Sequence, residues 1–241
     1  MRRIMLLNTK GGSGKSTLAT TLASYYAGQG KKVALADLDH QGSSMAWLES
    51  RPEDESSITG IAAWDGRLRT PRGTEYLILD TPAGGFGKLL TAMVRRADTV
   101  IVPVQPSPVD MRAAARFIHD LLSVGKVSRK QTRVALVANR CRENTGVSNV
   151  VERLLGTVNI GFSTPITQAN ETLQDFLESM KVPFVAKLSD SENYAKADAS
   201  GRSIFDLAPS QVMREAEQWQ PLIEWLKSRR SQPVKKRSKT R

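Results

Sequence analysis

Cysteine is nearly absent from this sequence: Cys141 stands alone. That excludes a disulfide within the chain and any cysteine-ligated cluster built by one chain alone, and it suits a reducing, cytoplasmic setting. Long apolar runs are missing too; no window approaches the roughly 18 residues that cross a bilayer. The run Ile4–Leu7 is too short for the apolar segment of a signal peptide and reads as a first β-strand. Acids are missing from Lys227–Arg241, which holds eight basic side chains and most of the net charge of +11. Such a run is either a solvated end or an arm for polyanions. No internal repeat, zinc-finger spacing or helix-turn-helix spacing is evident.

What is present alternates. Short apolar strands are expected at Ile4–Leu7, Val33–Ala36, Tyr76–Leu79, Thr99–Val104, Val134–Ala138 and Pro183–Ala186, and their mostly unbroken apolar character fits burial on both faces of a parallel sheet. Helices are expected at Ser16–Ala27, Lys88–Arg96, Pro108–Val124, Val147–Leu155, Glu171–Met180 and Ser210–Arg230, with Ser107 as a cap before Pro108 at the first helical position. Glu53–Ser57 and Arg67–Thr74 read as polar connections, and Gly156–Asn170 as an extra strand or a long loop. The fold class is α/β, a doubly wound, mostly parallel sheet with helices on both faces and ligands at the carboxyl ends of the strands. Residues 1–230 form one domain in this reading, and 231–241 a disordered basic tail.

The segment Gly11-Gly12-Ser13-Gly14-Lys15-Ser16 follows a strand and precedes a helix, the context a phosphate loop needs. Glycines let backbone N–H groups turn toward phosphate oxygens, and the helix N-terminus adds its positive dipole end. Lys15 would reach the β- and γ-phosphates of ATP, Ser16 would give its hydroxyl to Mg²⁺, and Thr17 would bond the α-phosphate. Asp37 and Asp39 end the second strand and Asp80 ends another, which is where a Walker B carboxylate holds Mg²⁺ directly or through water.

A second lysine, Lys10, precedes the first glycine. With it, "KGGSGKST", "DLDHQGSS", "LILDTPAGG" and "TVIVPVQPSP" run in the order of the ParA/MinD family of deviant Walker ATPases. The resemblance spans at least Met1–Arg116, more weakly to about Leu207, and is strongest to small ParA-type ATPases that partition plasmids or position carboxysomes. It implies that Lys10 reaches across an ATP-dependent homodimer to the partner's nucleotide. It also implies that Asp39 positions the attacking water and that Asp37 and Asp80 lie near Mg²⁺. His40 departs from the proline usual after this aspartate. Asn139 stands where relatives read the adenine edge, although capping a turn is equally open to it.

The resemblance further implies non-specific binding to double-stranded DNA through late basic residues. Candidates are Lys187, Lys196 and Arg202 in the folded part, and Arg229, Arg230, Lys235, Lys236 and Arg237 near the end. Phosphate contact without base reading is the expected mode. A cargo adaptor of ParB-like or McdB-like type would stimulate hydrolysis, and the protein would be cytoplasmic and nucleoid-associated, with no membrane partner. Two other readings stay open. Val212, Ala216, Trp219, Ile223 and Leu226 recur at helical spacing, as in a membrane-surface scaffold of MinD type, though the stripe also suits a core helix interrupted at Pro221. A metabolic ATP-dependent ligase of the same fold is the third.

Overall fold

A computed structural model of the chain describes residues 1–84, 87–124, 127, 131–142 and 182–233. The helices expected at Val147–Leu155 and Glu171–Met180, the stretch Gly156–Asn170, and Lys235, Lys236 and Arg237 lie outside the described residues.

Seven strands form one sheet: β1 (Arg2–Leu6), β2 (Val33–Asp37), β3 (Thr59–Ala62), β4 (Tyr76–Asp80), β5 (Thr99–Val104), β6 (Arg133–Cys141) and β7 (Phe184–Ser189). Their order is β3-β2-β4-β1-β5-β6-β7, and every pairing is parallel. The described helices are α1 (Lys15–Gly28), α2 (Ser43–Glu49), α3 (Gly87–Val94), α4 (Pro108–Ser123), α5 (Glu192–Asp198) and α6 (Pro209–Lys227). All residues of β2 and β5 are buried, as a sheet covered on both faces requires. On one face Leu90 and Val94 of α3 and Phe117, Ile118 and Leu121 of α4 pack on the strands. On the other, Leu18 and Leu22 of α1, Trp47 of α2 and Trp219 and Ile223 of α6 do so.

Three elements were not expected from sequence. β3 is a short edge strand with mostly exposed residues, and a Cβ at Gly60 would stand 2.6 Å from Met45 Cε of α2, so the strand carries a glycine where α2 crosses it. α2 and α5 have seven residues each, too short for a repeating apolar pattern. The predicted cap is present: Ser107 Oγ accepts a hydrogen bond from Asp110 N, and Pro108 begins α4. The apolar stripe of α6 is core: Val212, Trp219, Ile223 and Leu226 are at most 4% exposed. The helix carries Pro221 inside it and departs from helical dihedrals at Val212 instead. Among the described residues no helix is long and apolar enough to cross a membrane.

Ser231, placed by sequence in a disordered tail, is fully buried. It accepts hydrogen bonds from Arg2 and Thr99, while Gln232 O accepts one from Arg133 Nε.

Candidate nucleotide-binding site

The loop between β1 and α1 is held from three sides. Asn8 Nδ2 donates to Pro103 O (2.6 Å) and Asn8 Oδ1 accepts from Lys10 N (3.0 Å). Gln105 Nε2 donates to Gly12 O (2.7 Å), and Asn139 Nδ2 to Ser13 O (2.9 Å). With Gly12 O and Ser13 O engaged by Gln105, just past β5, and by Asn139 of β6, the loop's N–H groups remain for an anion. Gly14 caps α1 at φ 93° with no side-chain cap and no acid in the first turn. Only glycine suits that backbone, and a Cβ there would lie 2.1 Å from Asn139 Nδ2. An uncapped helix of this length offers unpaired N–H groups and a positive dipole end. Among the described residues Ser13 Oγ is buried without a hydrogen-bond partner, which an incoming oxygen would satisfy.

Lys15 is 7% exposed, and its Nζ donates to Lys10 O at 3.3 Å. Burial pulls its pKa down, while Asp80 and Asp39 act in the opposite sense. Asp37 and Asp80 face each other across the β2–β4 register. Asp80 Oδ2 accepts from Ser44 Oγ at 2.6 Å, and among the described residues its Oδ1 is buried without a hydrogen bond of good geometry. Burial, with Asp37 adding, pushes the Asp80 carboxyl up to about 6, against the opposing effects of Ser16, Ser44 and Lys15. A carboxylate so placed gains from a cation, so Ser16, Asp80 and the open loop fit Mg²⁺ and a polyphosphate. Among the described residues no cluster of three or more His, Cys, Asp or Glu could hold a metal. The hard cation would therefore depend on Ser16, Asp80, water and the phosphates themselves.

The Asp37 carboxylate is engaged within the chain. Its Oδ1 accepts from Asp39 N (2.9 Å), and its Oδ2 from Ser44 N (2.9 Å) and Met45 N (3.3 Å). The fully buried carboxylate is thus turned into the start of α2 and shapes the loop that carries Asp39. Asp39 itself is half-buried, and its Oδ1 accepts from Gln41 N at 3.0 Å. His40 is exposed, with its ring 6.4 Å from that of Trp64.

Lys10 sits on the rim, its side chain 47% exposed. Its Nζ is ion-paired with Asp110 of the same chain, in the first turn of α4. Asp110 Oδ2 also accepts from Ser107 Oγ at 2.5 Å. Burial opposes the charge on Asp110, but Lys10 and Ser107 outweigh it and hold the carboxyl below its ordinary range. Sequence reading missed Asp110; an acid in the first turn after a serine cap is an ordinary helix start, and only the tertiary structure brings it to Lys10.

Beside the loop, Thr17, Asn139, Arg140, Ser189, Ser191 and Tyr194 line a cleft of about 530 Å³. Asn139 borders it, but its amide nitrogen is engaged by the phosphate loop. Arg140 takes a left-handed φ of 55° where the β6–β7 register breaks.

The nominated cations among the described residues do not form one patch. Lys187 is on β7, and Lys196 on α5 is paired with Glu192 at 3.1 Å, both near the carboxyl ends of the strands. Arg202 Nε is paired with Glu55 at 2.7 Å, so much of its charge is answered within the chain. Arg229 and Arg230 are exposed, at the opposite end of the sheet.

Residues 4–204 match the CobQ/CobB/MinD/ParA nucleotide binding domain. The "Maintenance of carboxysome distribution protein A" of Gloeobacter kilaueensis is 33% identical over 122 residues, 49% of this chain and 56% of that relative. The chain thus spans little more than half the length of that relative. The fold is shared with MinD in the Aquifex aeolicus MinC:MinD cell division complex, at 18% identity and a TM-score of 0.65 over 98% of this chain and 99% of that one. It is also shared with the ATP complex of a Cyanothece McdA variant, at 14% identity and a TM-score of 0.63 over 98% and 99%. The chain belongs to the CobQ/CobB/MinD/ParA family of nucleotide-binding domains.

Proposed function

We propose that this chain is a ParA-type ATPase that closes into an ATP-dependent sandwich dimer, binds duplex DNA without sequence preference and positions a cargo over the nucleoid through an adaptor protein. The observation that carries the reading is the second lysine. Lys15 is buried in its own loop, whereas Lys10 stands half-exposed on the rim, where it serves no need of that loop. A cation so placed contributes most at phosphates enclosed by a second subunit, where water is scarce.

In this reading Lys15 holds the β- and γ-phosphates, with Ser16 and Asp80 holding Mg²⁺. The ion, when bound, neutralises phosphate charge. Asp37 fixes the turn through Asp39 N–H, and Asp39 orients the water that attacks the γ-phosphate. Lys10 leaves Asp110 and adds its charge to the partner's nucleotide. DNA and the adaptor stimulate the ATPase. The relative named for carboxysome distribution supports a protein organelle as cargo; the "Chromosome-partitioning ATPase Soj" of Thermus thermophilus, 53% identical over 53 residues, supports a DNA cargo equally. The apolar face of α6 lies in the core and is not available to a membrane. Sedimentation of the chain with ATP and with ADP, paired with ATPase rates with and without random duplex DNA, tests the reading. It expects dimers with ATP alone and a DNA-stimulated rate; a monomer with ATP that ignores DNA overturns it.

A further inference from the structure

Ser44, the second residue of α2, is fully buried against the ends of β2 and β4. Its Oγ donates to Asp80 Oδ2 at 2.6 Å, and its backbone N donates to Asp37 Oδ2 at 2.9 Å. Asp37 Oδ1 accepts from Asp39 N at 2.9 Å, and Asp80 O accepts from Leu38 N at 2.9 Å. A line of hydrogen bonds thus runs from the Asp80 carboxylate through Ser44 and Asp37 to the turn that carries Asp39. A hydroxyl has one proton to give. Ser44 gives it to a carboxylate whose other oxygen, Oδ1, is buried without a hydrogen bond of good geometry among the described residues.

The far end of α2 is pinned, which fixes Ser44 in turn. Trp47 Nε1 donates to Arg202 O at 3.1 Å, and Arg51 Nη1 to Gly201 O at 3.3 Å. Arg51 also pairs with Asp206 through two bonds of 3.0 Å. Gly201 has a left-handed φ of 64°, and a Cβ on it would stand 2.2 Å from Ser50 O. The backbone after α5 therefore runs directly against the end of α2, as glycine alone allows. A helix of seven residues is marginal by itself; these contacts make it a rigid support.

We infer that Ser44 is a positioning residue for the cation site: its hydroxyl fixes the Asp80 carboxylate so that Oδ1 is left for a divalent ion or for a water bound to it. The inference rests on the reading of Ser16 and Asp80 as the Mg²⁺ site and names a residue behind it. The last torsion of an aspartate is broad and roughly two-fold, so a place at a strand end does not by itself choose which oxygen is presented. A donor at 2.6 Å on Oδ2 does. A partner one step behind a metal ligand commonly contributes about 10–100-fold to metal affinity. Asp37 is bound to the same turn of α2, so the cation's carboxylate and the loop bearing Asp39 share one support.

Mn²⁺, which takes the same hard oxygen ligands, is the probe. It is titrated onto the full chain carrying ADP and followed by electron paramagnetic resonance. Ser44→Ala removes the donor. Ser44→Cys keeps a side chain of similar shape but donates only weakly, and it carries the comparison if Ser44→Ala does not fold. In both variants the Kd for Mn²⁺ should rise about 10–100-fold, while the Kd for ADP measured in EDTA stays at the wild-type value. An unchanged Mn²⁺ affinity overturns the inference and leaves the cation site standing. A loss that falls by the same factor on metal-free ADP marks a packing defect and also overturns it. Wild-type protein that binds ADP but no Mn²⁺ removes the cation reading, and the inference with it.

Discussion

Lys10 is ion-paired with Asp110 of its own chain, so the lysine expected to serve a partner's nucleotide is held at home in this conformation. Reaching across an interface requires breaking that pair. Asp110→Asn should therefore favour ATP-dependent dimerisation. A pair with one partner this exposed is worth up to about 1 kcal/mol, and a dimer breaks two of them, so the dimer constant gains up to roughly thirtyfold. Lys10→Ala should bind ADP as the wild type does and fail to dimerise with ATP. Sedimentation equilibrium measures both, and an Asp110→Asn protein that dimerises more weakly than the wild type would show that Asp110 positions Lys10 instead of restraining it.

Lys15→Ala should abolish nucleotide binding, because the phosphates lose the only lysine buried in the loop among the described residues. Calorimetric titration with ATP decides it; an unchanged affinity would remove the phosphate-loop assignment.

Asn139 has two possible tasks that one measurement separates. The geometry assigns it to the loop, through the bond to Ser13 O and the close approach to Gly14. Loss of a buried hydrogen bond costs about 1–3 kcal/mol. Asn139→Ala should thus weaken ATP and GTP binding by the same factor. A loss of discrimination between the two nucleotides would return the residue to base recognition.

Asp39→Ala should slow ATP hydrolysis at least a hundredfold, in line with about 10²–10⁴ for a positioned acid–base group, and leave ATP binding in place. Single-turnover rates with radiolabelled ATP check this. A wild-type rate would transfer the water to another group.

Arg51 and Asp206 form a buried pair with two bonds of 3.0 Å, and Asp206 also accepts from Ser24 Oγ and Ser203 N. Burial opposes the charge on Asp206, but these donors prevail and hold its carboxyl below the usual range. Its contribution is therefore present above the ordinary aspartate pKa of about 4 and is lost as pH falls through the lower folded value. Asp206→Asn should destabilise by roughly 3–5 kcal/mol at neutral pH, since Arg51 is left buried and unanswered, and should remove part of the acid-induced loss of stability. Urea unfolding at pH 7 and below pH 4 measures both.

Six of the seven described strands, four of the six described helices, the glycine-rich loop between β1 and α1 and the aspartates at the strand ends were legible in the residues. Each depends on local pattern: a parallel strand buried on both faces is an unbroken apolar run, and a phosphate loop is a fixed spacing of glycines, lysine and serine. β3 escaped because an exposed edge strand of four residues containing Gly60 has neither the run nor the alternation. For Asp37, sequence shows a carboxylate at a strand end and not where it points. The packing of α2 turns that carboxylate into backbone N–H groups. Lys10 meets Asp110 across 100 residues, Arg51 meets Asp206 across 155, and Arg2 reaches Ser231 across 229. Such pairs leave no periodic trace, because closing a long loop is a property of the whole fold. The division of the basic residues between two ends of the sheet was decided in the same way. Net charge is a sum along the chain, but a patch is a sum in space, and only the parallel topology put Lys31, Arg72 and Arg230 at one pole and Lys196 at the other.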